Sequence, residues 1–263
     1  MKDILVITPT LGNRESLRKT IESVRVIGGD RVEHIIVCPD HCIRTIRQKY
    51  GNIKCLAEQH GKKGIYTALN HGFYTYGHKY KYMAFINDDD YWILNYKLLI
   101  DYMDNHKDID MVYAKTSYVN EQYFKIGTQT SFPFFKLFIP LLKKQVVMIT
   151  QQATLITTKL YFDIGGFDES YKLAADTKFW SLLSIKKNVK VHYINKECAA
   201  YMIQDGQLSS DHNTQRMEHE KIFKEVDIPN FNSNIALVLF RLYNIPIYVK
   251  RFLKGKIRNP FYS

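Results

Sequence analysis

The chain has few cysteines, and their spacing argues against the commonest structural uses of that residue. Its 263 residues include only Cys38, Cys42, Cys55 and Cys198, with no paired C-x-x-C spacing. Secreted disulfide scaffolds are much denser in cysteine, so we expect a protein of a reducing compartment. A zinc site made by Cys38, His41 and Cys42 is a weaker alternative that the spacing leaves open.

Long apolar runs are also missing. The N-terminus has no basic segment followed by a long apolar stretch, so we expect no signal peptide and a cytoplasmic protein. The apolar stretch 132–142 is too short for a bilayer, which requires ~20 residues. The stretch 235–258 is interrupted by Arg241, Asn244 and Pro246. Its mixture of apolar and basic residues fits a peripheral helix on the inner face of the membrane, or equally a helix packed on its own domain.

An excess of basic residues points to an anionic partner. Lys and Arg number 37 against 26 Asp and Glu, which gives a formal net charge of +11. Such a surface attracts nucleotides, nucleic acids or anionic lipid. The chain lacks a dense basic run with interleaved aromatic residues and any known nucleic-acid module, so no nucleic-acid partner is expected. It also lacks the G-x-G-x-x-G loop that a dinucleotide-dependent oxidoreductase would need.

Apolar segments of strand length alternate with helical segments through the first half of the chain. The predicted strands are 4–7, 35–37, 53–56 and 82–86, and the predicted helices are 16–26, 43–50 and 65–76. Short apolar strands joined by helices are typical of a largely parallel sheet covered on both faces. Because ligands bind at the carboxyl ends of such strands, we expect the functional residues in the loops after Ile7, Val37 and Ile86.

The second half of the chain has a different pattern. It is β-rich at 111–119, 123–130, 146–157 and 189–201, and it becomes helical from Asp211 onward. We therefore predict an α/β fold whose sheet is mixed. The predicted main domain covers 1–210, and a helical, basic extension over 211–263 packs on it or on a membrane surface.

Three adjacent carboxylates follow the apolar segment 82–86. Asp88, Asp89 and Asp90 come directly after Asn87, and like charges so close repel each other unless a cation lies among them. Mg²⁺ and Mn²⁺ typically take one or two protein carboxylates and complete their coordination with substrate phosphates. The alternative is a solvated acidic turn that caps a helix beginning near Leu94.

Four short motifs occur in an order that is similar to one enzyme family. They are Ile7-Thr8-Pro9-Thr10 with Asn13-Arg14-Glu15, the helical segment 64–72, the acidic turn 87–90, and Gly165-Gly166-Phe167-Asp168 followed by Ala174-Ala175-Asp176. Over residues 3–210 the chain resembles the family 2 glycosyltransferases of the GT-A fold, in the branch that builds bacterial surface polysaccharides such as capsule, O-antigen or lipopolysaccharide. The resemblance implies a GT-A type, Rossmann-like mixed sheet flanked by helices, with a C-terminal helical extension.

The resemblance also implies which residues bind the donor nucleotide. Pro9, Thr10 and Glu15 match the nucleotide-binding loop after the first strand. Relatives usually carry an Asp pair for base recognition after the second strand, but Cys38 occupies the first of these positions here, so only Asp40 could serve. The resemblance implies a UDP-linked donor, although this departure weakens the case for uracil recognition.

The acidic turn looks like the DxD element of the family. The literal pattern is Asp88-x-Asp90, whereas the commoner family pattern aligns Asn87, Asp89 and Asp90. The alignment implies that Asp89 and Asp90 hold Mn²⁺ or Mg²⁺ and that Asp88 faces the ribose or the donor sugar.

Asp176 matches the family's catalytic base, at the start of the helix after the Gly-Gly-Phe-Asp turn. It would take the proton of the acceptor hydroxyl while the metal neutralises the leaving diphosphate, and single displacement would invert the anomeric centre. An N-terminal helix cap is the alternative for Asp176, and both roles can hold together. Asp168 and Glu169 are expected to be turn residues.

Two further departures from the family pattern, together with Cys38, leave other functions open. Thr67 stands where close relatives often have Asp, and Gln204 stands where many have a metal-binding His, which Asp205 or His212 could replace. A catalytically silent binding protein of the same fold is therefore an alternative. A nucleotidyltransferase is another, although the segment 8–14 is not its Gly-rich phosphate loop. The expected partners are a nucleotide sugar donor and a glycan or lipid-linked glycan acceptor.

Overall fold

The computed structural model describes residues 2–51, 53–204, 207 and 210–253. Its strands form one nine-stranded sheet. The strands are β1 (Ile4–Pro9), β2 (Val32–Cys38), β3 (Lys54–Ala57), β4 (Tyr82–Phe85), β5 (Tyr91–Trp92), β6 (Met111–Val119), β7 (Lys125–Thr128), β8 (Thr154–Thr157) and β9 (Val191–Met202). The helices are α1 (Leu17–Gly28), α2 (Asp40–Tyr50), α3 (Ile65–Tyr76), α4 (Lys97–Asn105), α5 (Phe138–Leu142), α6 (Thr158–Ile164), α7 (Ala175–Ile185), α8 (His212–Glu225), α9 (Ser233–Tyr243) and α10 (Ile245–Leu253).

The sheet is parallel in its first half and mixed in its second. The strand order is β3-β2-β1-β4-β8-β6-β9-β5, and β7 pairs with β6 outside this path. Strand β1 runs parallel to β2 and β4, whereas β8 runs antiparallel to both β4 and β6. The predicted α/β fold with a mixed, Rossmann-like sheet is confirmed.

The predicted strand over 146–157 is wrong in its first part. Only Thr154–Thr157 forms a strand, and Gln151–Ala153 forms a 3₁₀ turn before it. The side chains of Gln151 and Gln152 are buried in this turn, and the Gln152 amide donates a hydrogen bond to the Asp90 carboxylate. The apolar content of the segment predicted a strand because that tertiary contact cannot be read from a local pattern.

Strand β1 lies in the interior of the sheet, between β2 and β4, and both of its faces are buried. Leu5 and Ile7 belong to one hydrophobic cluster, while Ile4 and Val6 belong to the cluster on the opposite face. A continuous apolar run is what a strand covered on two sides requires. Burying each such side chain stabilises the fold by about 1.5–3 kcal/mol. The loop that follows β1 therefore starts from a firmly held strand.

Helix α3 packs closely on β1 because Gly72 has no side chain. A Cβ at Gly72 would lie 2.9 Å from Ile7 Cδ1. This contact holds the N-terminal turn of α3, including Tyr66, beside the carboxyl end of β1. Since β1, β2 and β4 are parallel, the loops after Pro9, Cys38 and Phe85 open at the same edge of the sheet.

The helices after residue 210 add to the main core. Ile222 of α8 and Ala236 and Phe240 of α9 belong to the same cluster as the β1 residues on that face. The Phe240 ring lies edge-on to Phe132, with ring centroids 5.8 Å apart. The described part of the predicted C-terminal extension is therefore packed on the sheet domain. Within the ranges that the structure describes, every helix is too short or too polar to cross a bilayer.

Candidate active site

A cleft of about 410 Å³ opens where the loops at the carboxyl edge of the sheet meet α7 and α8. Both halves of the chain contribute to it. The residues lining it include Pro9, Arg14, Tyr66, Asn87, Asp88, Asp89, Tyr118, Lys172, Asp176, Tyr201, Gln207, Gln215 and His219.

Asp88 is held at the cleft by the loop after β1. Thr10 Oγ1 donates a hydrogen bond of 2.6 Å to Asp88 Oδ2, and the Gly12 amide donates one of 3.0 Å to Thr10 Oγ1. Burial raises the pKa of Asp88, and the Thr10 hydroxyl and the Arg14 charge oppose that rise. The loop thereby fixes one carboxylate of the acidic turn in a single orientation.

Asp89 also lies at the cleft, where Asp88 and Asp89 both contact the positively charged side chain of Arg14. The Arg14 guanidinium bonds to the Asp89 carboxylate, and its Nη1 lies 3.7 Å from Asp88 Oδ1. Gln204 Nε2 donates a hydrogen bond of 2.9 Å to Asp89 Oδ2. Gln204, a departure from the family pattern, is therefore in direct contact with the residue predicted to bind metal.

Asp90 has different surroundings and does not line the cleft. Its Oδ1 accepts a hydrogen bond of 3.0 Å from the Met202 amide, and its Oδ2 accepts bonds from Gln152 Nε2 and from Asn87 Nδ2, the latter at 3.4 Å. The residue is fully buried, and burial raises the pKa of its carboxyl well above the ordinary value. Asp90 ties the acidic turn to β9, and its two oxygens are enclosed by these partners.

The donor set at the cleft fits a hard divalent cation. Across the described residues, no group of three or more His, Cys, Asp or Glu side chains forms a preformed metal cage, and this includes the zinc alternative at Cys38, His41 and Cys42. Mg²⁺ and Mn²⁺ do not need such a cage, because substrate phosphates complete their coordination. Asp89, with Asp88 beside it, has the chemistry of such an open site.

Asp176 is the second residue of α7 and faces the cleft from the other side. Its Oδ1 accepts hydrogen bonds from the Thr177 amide at 2.7 Å and from the Tyr66 hydroxyl at 3.1 Å. Burial raises the pKa of Asp176, and these hydrogen bonds oppose the rise. The N-cap position itself is Ala174, so Asp176 lies inside the first turn, where the helix dipole stabilises its charge.

The turn before α7 requires two glycines and is fastened to α3. Gly165 and Gly166 have φ angles of 91° and 79°, which side chains rarely adopt. A Cβ at Gly166 would lie 2.9 Å from the Tyr74 hydroxyl and 3.0 Å from Asn70 Oδ1. Asn70 in turn bonds both the carbonyl and the amide of Phe167, at 2.8 and 3.0 Å. The turn therefore has a fixed position relative to the sheet.

Asp168 and Glu169 are bonded to residues around this turn. Lys178 donates a hydrogen bond of 2.6 Å to Asp168. Burial raises the pKa of Asp168, but the Lys178 and Ser170 hydrogen bonds outweigh it and lower that pKa to about 2. Glu169 accepts a bond of 3.1 Å from Thr67 Oγ1, so the Thr67 departure has a partner in this chain. Neither carboxylate lines the cleft.

The remaining predicted site residues are distributed unevenly. Pro9 lines the cleft, whereas Glu15 and Asp40 are exposed residues that do not line it. His212 is an exposed residue at the start of α8, and it does not line the cleft either. Asp205 lies outside the described residues.

Several site residues were not identifiable from the sequence. The motif Asn13-Arg14-Glu15 predicts a functional loop, but it does not show that Arg14 reaches the carboxylates. Glu218 and His219 come from α8, far along the chain from every matched motif. The weak amphipathic pattern of α8 predicts a helix and gives no sign of a role at the cleft.

Comparisons with known proteins agree with this architecture. The chain matches the sequence model described as Glycosyl transferase family 2 over residues 5–165. The structure of S. aureus TarS 1–349 in complex with UDP-GlcNAc is similar at a TM-score of 0.61 and 16% identity, over 91% of this chain and 70% of that one. The complex of TarS 1–349 with UDP is similar at a TM-score of 0.60 and 15% identity, over 98% and 76% of the two chains. No curated protein matches the chain.

The sheet order, the position of the cleft and the similar structures define a protein of the GT-A fold. Because the family match spans more than half of the sequence, the chain belongs to glycosyl transferase family 2. The matched segment contains the acidic turn and ends at Gly165, so Asp176 and α8 lie beyond it.

Proposed function

We propose that the protein is a metal-dependent, inverting glycosyltransferase that moves a sugar from a UDP-linked donor to a hydroxyl of a growing bacterial surface glycan. The observation that carries this proposal is the presence of two separate carboxylate positions in one cleft. Asp88 and Asp89 lie at the sheet edge, and Asp176 lies at the start of α7. Direct transfer needs this separation, because the leaving diphosphate and the attacking hydroxyl are on opposite faces of the sugar.

The nucleotide would bind along the carboxyl edge of β1. Pro9 forms part of the wall there, and Thr10 holds Asp88 toward the ribose or the donor sugar. Glu15 and Asp40 remain proposed contacts of the donor nucleotide, with Asp40 at the base. Two of the similar TarS structures contain UDP-GlcNAc or UDP, which supports a uridine diphosphate donor.

Asp89 would hold Mn²⁺ or Mg²⁺ beside the donor diphosphate. When bound, the ion would neutralise the charge that accumulates on the leaving group. Arg14 adds a positive charge at the same place, because its guanidinium already lies against Asp89 and Asp88. Asp90, enclosed by Gln152 and the Met202 amide, would keep the turn in shape.

Asp176 would act as the general base. Its Oδ1 is fixed by Tyr66 and Thr177, so we assign Oδ2 to the acceptor hydroxyl. Because burial raises the pKa of Asp176, its carboxylate is a stronger base for the proton of the acceptor hydroxyl. Proton removal from the hydroxyl and departure of the diphosphate in one displacement invert the anomeric carbon.

The C-terminal helices support peripheral contact with a membrane that carries a lipid-linked acceptor. Large apolar side chains are exposed along α9 and α10, and we call this surface the α9–α10 face. It consists of Ile235, Val238, Leu239, Leu242, Val249 and Phe252. Arg241, Lys250 and Arg251 lie on the same two helices and would pair with anionic headgroups. Residues 254–258 of the predicted segment 235–258 lie outside the described residues.

A thermal-shift panel of nucleotide sugars with and without Mn²⁺ tests the proposed function. A selective UDP-sugar at about 100 times its Kd should stabilise the protein by about 2.7 kcal/mol, and more so with Mn²⁺ than with chelator. The selected donor should then release UDP in the presence of the enzyme. Binding without any UDP release would favour the catalytically silent alternative, and pyrophosphate release from a nucleoside triphosphate and a sugar phosphate would favour a nucleotidyltransferase.

A further inference from the structure

Helix α8 places one carboxylate against the backbone just before the proposed base. Glu218 accepts hydrogen bonds from the amides of Lys172, Leu173 and Ala174, at 2.5, 2.9 and 2.7 Å. These three consecutive amides precede α7, and the last of them belongs to the N-cap residue Ala174, whose amide has no partner within the helix. A carboxylate is a strong acceptor for such groups and is further favoured by the helix dipole.

The segment that Glu218 holds is linked to Asp176 through the Tyr66 hydroxyl. The Tyr66 hydroxyl lies 2.8 Å from the Leu173 carbonyl and 3.1 Å from Asp176 Oδ1. Lys172, Leu173 and Ala174 also line the cleft. A shift of the segment would therefore move both the cleft wall and the hydrogen bond that orients the carboxylate.

Helix α8 is itself anchored by residues that follow Glu218. Ile222, one turn further on, is fully buried in the main core. Glu225, at the end of the helix, accepts hydrogen bonds of 2.6 Å from Lys178 and 2.7 Å from the Tyr171 hydroxyl. These contacts place Glu218 on a fixed support rather than on an independent surface helix.

We propose that Glu218 is a positioning residue for the catalytic carboxylate, holding segment 172–174 so that Asp176 meets the acceptor hydroxyl at a productive distance and angle. The inference rests on the proposed function, in which Asp176 is the base. Glu218 contacts only the backbone of the segment and takes no part in proton transfer. Its loss should reduce the rate of the chemical step and leave donor binding at the sheet edge intact.

The test compares Glu218→Gln with Glu220→Gln on the same helix. Glu220 is an exposed residue paired with Arg216 at 3.4 Å, so its substitution removes the same charge without touching the segment. Glu218→Gln should lower kcat for UDP release from the selected donor by about 10- to 100-fold, as expected for a misplaced catalytic group. The affinity for UDP with Mn²⁺ should change by less than about twofold, because the metal carboxylates are held by Thr10 and Gln204.

Two further readouts separate positioning from a general loss of stability. Hydrogen exchange at the amides of residues 172–174 should accelerate in Glu218→Gln and not in Glu220→Gln. The acidic limb of the kcat profile should move to lower pH, because a loosened segment admits water to Asp176 and reduces the burial that raises its pKa. Glu218→Asp keeps the charge and should recover part of both effects, which provides a second variant if Glu218→Gln does not fold.

Three results would overturn the inference. They are a wild-type kcat in Glu218→Gln, equal losses in the two glutamine variants, and unchanged amide protection at 172–174. If the wild-type protein releases no UDP from any donor, the proposed function fails, and the catalytic part of this inference fails with it. Amide exchange would still decide whether Glu218 holds the segment.

Discussion

Asp89 and Asp90 are adjacent in the sequence, but only Asp89 faces the cleft. Partners from distant parts of the chain decide this difference: Gln152 and the Met202 amide enclose Asp90. A run of three aspartates does not reveal which of them these partners will reach. At the scale of single residues, the sequence therefore predicts the kind of site and leaves the individual ligand to the tertiary structure.

Asp89→Asn should abolish most of the metal enhancement of donor binding. Losing even an outer partner of a metal ligand typically lowers metal affinity by about 10- to 100-fold, so losing the proposed ligand should do at least as much. Calorimetry of UDP binding with Mn²⁺ and with chelator measures the effect. An undiminished enhancement in the variant would remove Asp89 from the site.

Asp90→Asn is the matched control for that substitution. The carboxyl of Asp90 is buried with a raised pKa, so a neutral amide is a close replacement. Within the described residues Gln152 Oε1 has no hydrogen-bond partner, and a rotated Gln152 amide could accept from the new side chain. We expect metal-enhanced UDP binding within a few fold of wild type, and a loss as large as that of Asp89→Asn would show that Asp90 is also a ligand.

Asp176→Asn should separate donor binding from turnover. The amide keeps the size of the carboxylate and can still accept from Tyr66 and Thr177, so the fold and UDP affinity should persist. Loss of general-base help typically lowers the rate by about 10² to 10⁴. Steady-state transfer and calorimetry on the same protein measure the two quantities.

Asp168→Asn is the control for the base assignment. Asp168 is bonded to Lys178 and the Ser170 amide and does not line the cleft, so the variant should lose some thermal stability and keep transfer within a few fold. Wild-type transfer by Asp176→Asn together with failure of Asp168→Asn would mean that the base lies at the other end of this turn.

At the scale of helices and strands, the first half of the chain follows its local pattern closely. The apolar runs of β1, β2 and β4 are buried on both faces of the sheet. A strand covered on both faces needs a continuous apolar sequence, so the run in the sequence predicts the strand. The segment before β8 departs from its pattern because buried glutamines bond distant partners. Strand β5 has only two residues, Tyr91 and Trp92, which is too short for any periodicity to be visible.

The α9–α10 face gives a prediction that belongs to these two helices. Val238→Ser, Leu242→Ser and Val249→Ser together should reduce cosedimentation with anionic vesicles at low salt. These side chains are 55%, 58% and 44% exposed, so the fold should survive their replacement. Neutral vesicles should bind the wild type less, because each Lys or Arg near an anionic surface contributes about 1 kcal/mol.

A matched variant keeps this test specific. Val26→Ser and Leu94→Ser replace side chains that are 68% and 69% exposed on other parts of the surface. That double variant should bind vesicles like the wild type. Equal binding by the triple variant, or no binding by any of the proteins, would mean that the face has no membrane role.

At the scale of the whole molecule, the cleft is assembled from segments that are far apart in sequence. The edge of the sheet was predictable, because parallel order and the position of the acidic turn follow from the alternation of strands and helices. The opposite wall was not, since Tyr118, Tyr201 and the α8 residues meet there only through the mixed strands and the packing of the last helices. Long-range packing leaves little trace in a local pattern.

Global stability should depend on pH through His34. Burial lowers the pKa of this residue from 6.5 to about 3, and its Nε2 lies 2.9 Å from Thr8 Oγ1. Below pH 6.5 His34 binds a proton in the unfolded chain but stays neutral in the folded chain until the pH approaches 3. The contribution of His34 to the free energy of unfolding is therefore fully present above about pH 6.5, and it is lost as the pH falls toward 3.

His34→Gln should make thermal stability less dependent on pH in that window. Calorimetric melting of both proteins at several pH values gives the difference between their melting temperatures. The effect of titrating the acidic residues is common to both proteins and cancels in this difference. His60→Gln, at an exposed position, should keep the wild-type slope. A wild-type slope in His34→Gln as well would mean that the folded protein accepts the proton at this position.

The attachment of Glu218 to segment 172–174 also bears on the order of events during synthesis. Domains emerge from the ribosome N-terminal end first. Strand β1 and the start of α7 leave the ribosome before α8, because α8 follows them in the sequence. During that interval the segment before Asp176 lacks its carboxylate partner. A nascent chain stalled before α8 should therefore be unable to transfer sugar.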